Sequence, residues 1–343
     1  MRIKLFGTAL AILVFATGCP PSDRQEEPDG EQNGAEQEAV EQEAAERETE
    51  DGTPSDPLAA VSIEVPAGGD AAIDSPSGES DPECVGKLDA EGADSFEIDG
   101  WKVEVEGYRA TLTRTGEEAP EELALGVIAD IKEDTGENMY NIGRFIEWWR
   151  SMKVEAVVVP GDAGETAAGL ARVLGALAEP GWPVLVLSGN REAKDEYREG
   201  VAKAQQEHRN IFDLSKIRLV SLPGASLVSL PGYHDARFLH EETACQYFRE
   251  DVAALIGVAR EAEDPVVLVA HSGPRGATAH SIDYAREAGN VGDGNLNRLI
   301  EAARIPFGIF GHILEAGGKA TDLAGHDLRA EGAYTNSLYL NAG

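Results

Sequence analysis

The sequence predicts an α/β domain of mixed sheets flanked by helices, preceded by a small β hairpin region. Three observations predict it. From Leu123 onward, apolar runs of four to eight residues alternate with stretches of helical pattern, as buried strands between helices do. Ahead of them, residues 95–114 (SFEIDGWKVEVEGYRATLTRT) alternate apolar and polar, with Asp99-Gly100 and Glu106-Gly107 as turn signals. Roughly 260 residues remain from Asp81 onward, enough for one large domain with a full core.

The N-terminus comes first. Met1-Arg-Ile-Lys4 is a short basic start, and Leu5 to Gly18 is a mostly apolar run too short for a comfortable membrane span. Residues 1–18 therefore read as a signal peptide. Ala16-Thr17-Gly18-Cys19 resembles the bacterial lipobox, in which the cysteine is lipidated and becomes the new N-terminus. That resemblance implies export to the cell envelope and membrane anchoring through Cys19, with more than one acyl chain because one holds only marginally. An ordinary signal with a chance cysteine is the alternative.

Residues 19–81 predict a disordered acidic linker. Ser22 to Pro57 holds 14 Asp plus Glu against 2 Arg, a net of −12 within a chain of net charge −33. Such a segment cannot form a core and is extended by self-repulsion. The same acidity argues against nucleic-acid binding and against adhesion to anionic lipid.

Residues 82–120 form the β-rich N-terminal part of the folded region, as a hairpin or meander. Residues 121–343 form the main domain. Its strand candidates are Leu123–Ala129, Ala156–Val159, Pro183–Leu187, Pro265–Ala270 and Ile305–Phe310. Helical patterns cover 138–151, 165–178, 192–206, 241–262 and 294–303. Between Ile217 and Tyr233 the string Val-Ser-Leu-Pro-Gly occurs twice, at 220–224 and 228–232, and predicts a hairpin of short strands. Trp148-Trp149 falls on an apolar helical face with Ile142, Phe145 and Ile146 and reads as core. Two cysteines remain after Cys19. In an exported chain Cys84 and Cys245 either pair or stay as buried thiols.

The residues that close the apolar runs carry the chemistry. Asp130 closes LALGVIAD, Asp162 closes VVVPGD, Asn190 closes VLVLSGN, His271 closes VVLVAH and His312 closes FGIFGH. In open α/β sheets, sites form beyond the carboxyl ends of strands. All five side chains are oxygen or imidazole ligands suited to Mn, Fe, Zn or Mg. Glycines 161, 189 and 311 directly precede three of them, allowing tight turns and close approach of backbone to ligand.

In order and spacing, these motifs resemble those of the calcineurin-like metallophosphoesterases, over about Leu123 to Gly343. The family runs Asp-x-His, Gly-Asp-x-x-Asp/Glu, Gly-Asn-His-Asp/Glu, a later His, and Gly-His-x-His. This chain has Asp130-Ile-Lys132, Gly161-Asp-Ala-Gly-Glu165, Gly189-Asn-Arg-Glu192, His271 and Gly311-His-Ile-Leu314. Its closing Leu340-Asn-Ala-Gly343 also resembles the family's last strand and turn. The resemblance implies an α/β sandwich of mixed sheets and a two-metal centre for phosphoester hydrolysis. It implies a bridging Asp162, with Asn190, His271 and His312 completing one metal half-site. The other site retains Asp130 but has Lys132 and Leu314 where the family has ligating histidines. Arg191 stands where the family has its catalytic His, and an Arg cannot release a proton near neutral pH.

Two compensations are open. Lys132 could seat its ammonium where the first metal would lie, while Arg191 grips a phosphate or carboxylate oxygen. Alternatively Glu133 or Glu315 replaces a missing ligand. Tyr233-His234-Asp235, His240 and Arg275 are candidates for the pocket rim. No Gly-x-Ser-x-Gly, P-loop or His-Glu-x-x-His motif occurs.

The sequence therefore leaves three functions: a pocket with one divalent metal (Mn, Fe or Zn) that binds a phosphorylated or anionic ligand, an active hydrolase with an altered metal site, or a structural lipoprotein with no metal.

Overall fold

The computed structural model describes residues 74–116, 123–263, 265–330, 332 and 334–343, with the backbone alone of 2–5 and 10–13. Cys19 and the acidic stretch up to residue 73 lie outside the described residues.

Two strands come from the N-terminus, β1 (Arg2–Leu5) and β2 (Leu10–Leu13). Next come β3 (Ala93–Ile98), β4 (Trp101–Glu106) and β5 (Arg109–Arg114), an antiparallel meander in the register that the sequence alternation predicts. The α/β part follows as β6 (Leu123–Val127), α1 (Gly136–Ser151), β7 (Ala156–Pro160), α2 (Ala167–Ala178), β8 (Val184–Leu187), α3 (Lys194–Glu207) and β9 (Ile211–Asp213). After it come β10 (Leu219–Leu222), β11 (Ala225–Leu230), α4 (Arg249–Glu261), β12 (Val266–Ala270) and the small hairpin β13 (Tyr284–Ala285) and β14 (Gly289–Asn290). The chain closes with α5 (Gly294–Ala303), β15 (Phe307–Phe310), β16 (Ala320–Thr321), β17 (Tyr334–Thr335) and β18 (Leu338–Asn341).

These strands build two large sheets. One runs β17-β1-β2-β6-β7-β8-β9, with β6 to β9 parallel. The other runs β16-β18-β15-β12-β11-β10-β5-β4-β3, with a parallel centre from β18 to β11. The meander is thus the edge of the second sheet, joined through the parallel pair β10 and β5. The repeated Val-Ser-Leu-Pro-Gly strings form the antiparallel hairpin β10–β11, as expected.

The core explains why the central strands are continuously apolar. Along β7, Ala156 and Val158 face the space between the sheets, while Val157 and Val159 face the layer of α1 to α3. Along β12, Val267 and Val269 enter the intersheet core, while Val266, Leu268 and Ala270 meet α4 and α5. Both faces of each strand are buried, so period-2 alternation gives way to runs of Val, Leu and Ala. The result is the expected α/β sandwich of mixed sheets flanked by helices.

Two expectations shift. Helix α4 begins at Arg249 rather than 241, because 244–246 is tied elsewhere: Ala244 bridges to Ala193, Gln246 bridges to Tyr233, and Cys245 is bonded to Cys84. Residues 74–81, expected in the linker, lie on the domain. Ser75 donates its N–H to Asp293 at the start of α5, and Ser80 donates its hydroxyl to Asp251 in the first turn of α4. Part of the expected signal segment supplies β1 and β2, which pair beside β6 through the parallel register Leu10 to Leu123. Trp149 is fully buried between α1 and its sheet, as expected, and Trp148 packs partly buried at its margin.

Candidate metal centre

Each of the five expected residues lies just past the carboxyl end of its strand. Asp130, Asp162 and Asn190 follow β6, β7 and β8 of one sheet. His271 and His312 follow β12 and β15 of the other. The two sheets deliver their polar ends to one place. Asp130, Asp162 and His271 bring ligand atoms within 4.8 Å of one another, all buried.

The backbone is bent to achieve this. Asp130, Lys132, Asp162 and His312 have φ of 56°, 65°, 54° and 75°, in the left-handed region that non-glycine residues rarely enter. Lys153 and Arg304 are the other such residues among those described. Glycine is required beside these turns. A Cβ on Gly189 would fall on Asp162 Oδ1, and one on Gly161 would come within 2.5 Å of His271 Nδ1.

Hydrogen bonds fix the orientation of the site. Asn190 Nδ2 donates to the Phe238 carbonyl, which turns Asn190 Oδ1 toward the histidines. His271 Nε2 lies 2.8 Å and His312 Nδ1 3.1 Å from that oxygen. His271 Nδ1 lies 2.9 Å from the Pro160 carbonyl, an acceptor only, so this nitrogen carries the ring proton. Burial pulls the His271 pKa down to about 4, so the ring is neutral and Nε2 is a bare lone pair. That lone pair faces Asn190 Oδ1 and, at 3.5 Å, Asp162 Oδ1.

Asp162 Oδ1 accepts the backbone N–H groups of Asn190 and Arg191. Asp130 Oδ1 accepts from the His312 backbone N–H, while its buried Oδ2 has no partner. Burial raises the Asp162 carboxyl to about 6, against the lowering effect of the Arg191 N–H. Burial, followed by the Asp162 charge, raises Asp130 well above the usual carboxylate range. Burial, followed by His271, lowers His312 well below its usual value. Each shift marks a group kept from water without a full counter-charge.

The geometry bears on both compensations. Lys132 lowers the pKa of both aspartates through its field, but no ion pair joins it to either among the described residues. Arg191 does not offer an open fork. Its Nε donates to Glu165 Oε1 at 2.6 Å, Nη2 reaches the same oxygen, and Nη1 lies 3.3 Å from His240 Nε2. Glu133, Glu315 and Leu314 are exposed, and neither glutamate joins the ligand cluster. Arg275 reaches the 74–81 segment: Nη2 pairs with Asp74 at 2.8 Å, and Nε donates to Gly292 O.

Of the rim candidates, Tyr233 lies against His312 with ring centroids 4.3 Å apart and planes tilted by 40°, and exposed His240 meets Arg191. His234 is fully buried with Nδ1 against Ser272 Oγ. Asp235 accepts the Arg237 N–H and pairs with its side chain.

Sequence reasoning missed Glu192. Fully buried, it accepts N–H bonds from Ala163 and Gly189 and so ties the Asp162 loop to the Asn190 loop. Its place in Gly189-Asn-Arg-Glu192 was the available signal.

No family model and no curated protein matches the chain. Among solved structures it is similar to TT1561 of Thermus thermophilus, at 13% identity and TM-score 0.46, over 64% of this chain and 88% of that one. It is also similar to a dimetal phosphatase from Danio rerio, at 14% identity and TM-score 0.41, over 63% and 86%. A third is the phosphopantetheinyl hydrolase of Mycobacterium tuberculosis, at 14% identity and TM-score 0.42, over 63% and 86%.

Proposed function

We propose that this chain is a membrane-tethered lipoprotein of the calcineurin-like metallophosphoesterase kind, whose pocket holds one divalent cation and receives a phosphorylated or anionic ligand. One observation carries the reading. The neutral His271 Nε2 lone pair faces two oxygens, Asn190 Oδ1 and Asp162 Oδ1, and neither offers it a hydrogen. Acceptors pressed together without a proton repel one another, and a bound cation turns that repulsion into ligation.

Asp130, Asp162 and His271 would hold the ion together with Asn190, and His312, which lies outside that cluster but 3.1 Å from Asn190 Oδ1, would complete the set. The ion would polarise a phosphoryl oxygen or acidify a bound water. A second ion lacks ligands, because Lys132 and Leu314 supply none and Glu133 and Glu315 stand outside the cluster. Arg191 is paired with Glu165 and cannot donate a proton to a leaving group. The reading is therefore a binding pocket with little or no turnover. Cys19 and the acidic spacer would hold it off the membrane on the extracytoplasmic side.

The test is elemental analysis and calorimetric titration of the purified chain with Mn²⁺, Zn²⁺ and Fe²⁺, repeated on His312→Ala. One ion per chain is expected, with affinity weakened by at least about tenfold in the variant, the scale at which ligand support acts. Two ions per chain would favour an active hydrolase, and none would leave a structural role.

A further inference from the structure

Arg218 is among the largest side chains buried in the molecule, at 2% exposure. It sits just before β10, far in sequence from every metal-centre residue. A buried guanidinium is ordinarily matched by a carboxylate, since an uncompensated charge in the interior is costly. Arg218 has no such match among the described residues. Its Nε donates to the Ser229 carbonyl at 2.8 Å and its Nη1 to the Gly86 carbonyl at 3.1 Å, both neutral acceptors. Its Nη2 has no partner. Asp251 acts on it only through its field, because that carboxylate is engaged by Ser80 Oγ and the Phe248 N–H, each at 2.8 Å. Burial pulls the guanidinium down to about 10, still fully charged at neutral pH.

Arg218 lines a cleft of about 450 Å³ between residues 79–89 and α4. This volume suits a small molecule. Pro82, Val85, Leu88 and Ala254 give the cleft apolar walls, and exposed Lys87 stands at its rim. Apolar walls with one buried cation on the floor are the arrangement that recognises an apolar body with an anionic head. Glu79, Asp89 and Asp251 also border the cleft, the first two exposed. They oppose a doubly charged ligand such as phosphate more strongly than a singly charged one.

We propose that this cleft binds an aliphatic monocarboxylate, with the Arg218 guanidinium as its anchor. Nη2 is buried without a partner, and Nη1 holds the carbonyl of Gly86, itself a lining residue of the cleft. An entering carboxylate takes both nitrogens in a fork, replacing the neutral Gly86 carbonyl and supplying the missing counter-charge. The site shares no residue with the metal centre, so the two proposals stand or fall separately.

The test is calorimetry and thermal denaturation of the whole chain at about 0.15 M salt, which screens its acidic surface beyond roughly 8 Å. The probes are hexanoate, hexanol, inorganic phosphate and chloride. Hexanoate should bind and raise the melting temperature, and hexanol and phosphate should not. Ala254→Trp fills the cleft from an exposed helix position and leaves Arg218 in place. It should weaken hexanoate by at least about tenfold, the scale of an excluded ligand in a small pocket. Arg218→Lys keeps the charge but loses the fork, and should do the same if it folds. The proposal fails if hexanoate does not bind, or binds Ala254→Trp equally. It also fails if chloride stabilises as well as hexanoate, which would mean an adventitious ion only.

Discussion

At the scale of single residues, Glu192 shows how much of the site rests on one side chain. Its two carboxylate oxygens accept from Ala163 and Gly189, one from each ligand-bearing loop. Glu192→Gln turns one of those acceptors into a donor facing a backbone N–H. The expected cost is about 1–3 kcal/mol, read from chemical denaturation in metal-free buffer. The pH dependence has a defined sign. Burial and then Asp162 raise this carboxyl from 4.5 to about 7. Between those values the folded chain keeps a proton that the unfolded chain has released, so the contribution is complete below pH 4.5 and is lost as pH rises to about 7. His271, lowered from 6.5 to about 4, has the opposite sign and loses stability as pH falls through that window. The Glu192 charge also raises the pKa of His271 and of Asp130, and its loss there acts in the same direction, so the gap between parent and Glu192→Gln should narrow from about pH 5 to about pH 7. A gap that widens over that range would contradict the assignment. The convergence of Asp130, Asp162, Asn190, His271 and His312 was legible because each ends an apolar run. Their chemistry was not. The ring tautomer of His271 depends on Pro160, 111 residues away, and Arg191 is closed by Glu165. Neither pairing leaves a mark in local sequence.

At the scale of elements, continuous apolar runs announced β6, β7, β8, β12 and β15 because both faces of those strands are buried. β9 escaped, since Ile211–Asp213 is three residues long and offers no period to detect. Residues 74–81 escaped for another reason. Their composition is that of a linker, and what orders them is polar contact with distant groups: Asp293, Asp251, and the Lys194 ammonium on Asp81. The Cys84–Cys245 bond pins the end of this segment across a sequence separation of 161. Opening so long a loop restores much unfolded-chain entropy, so Cys84→Ala/Cys245→Ala should lower stability by about 2–4 kcal/mol. The denaturation midpoint of that double variant decides the matter, and an unchanged midpoint would mean that the polar contacts suffice.

At the scale of the whole molecule, the N-terminus meets two competing demands. β1 and β2 pair beside β6, which makes β6 an interior strand. Cleavage ahead of Cys19 would remove both strands and leave β6 at a sheet edge, a surface that proteins usually protect. The apolar run from Leu5 to Leu13 suits either a sheet or a signal segment, so hydropathy alone does not choose between them. The small residues before Cys19 do favour one, and so does the spacer. A stretch of net charge −12 repels itself and holds a domain away from the surface to which it is anchored. Intact mass of chain extracted from bacterial membranes separates the two. The lipoprotein reading requires loss of residues 1–18 and added acyl mass at the new N-terminus, both absent in Cys19→Ser. It also requires the parent to partition into detergent, because two or more acyl chains give stable anchoring where one does not. A parent chain that retains residues 1–18, carries no lipid and stays in the aqueous phase would instead keep β1 and β2 as permanent strands of the sheet.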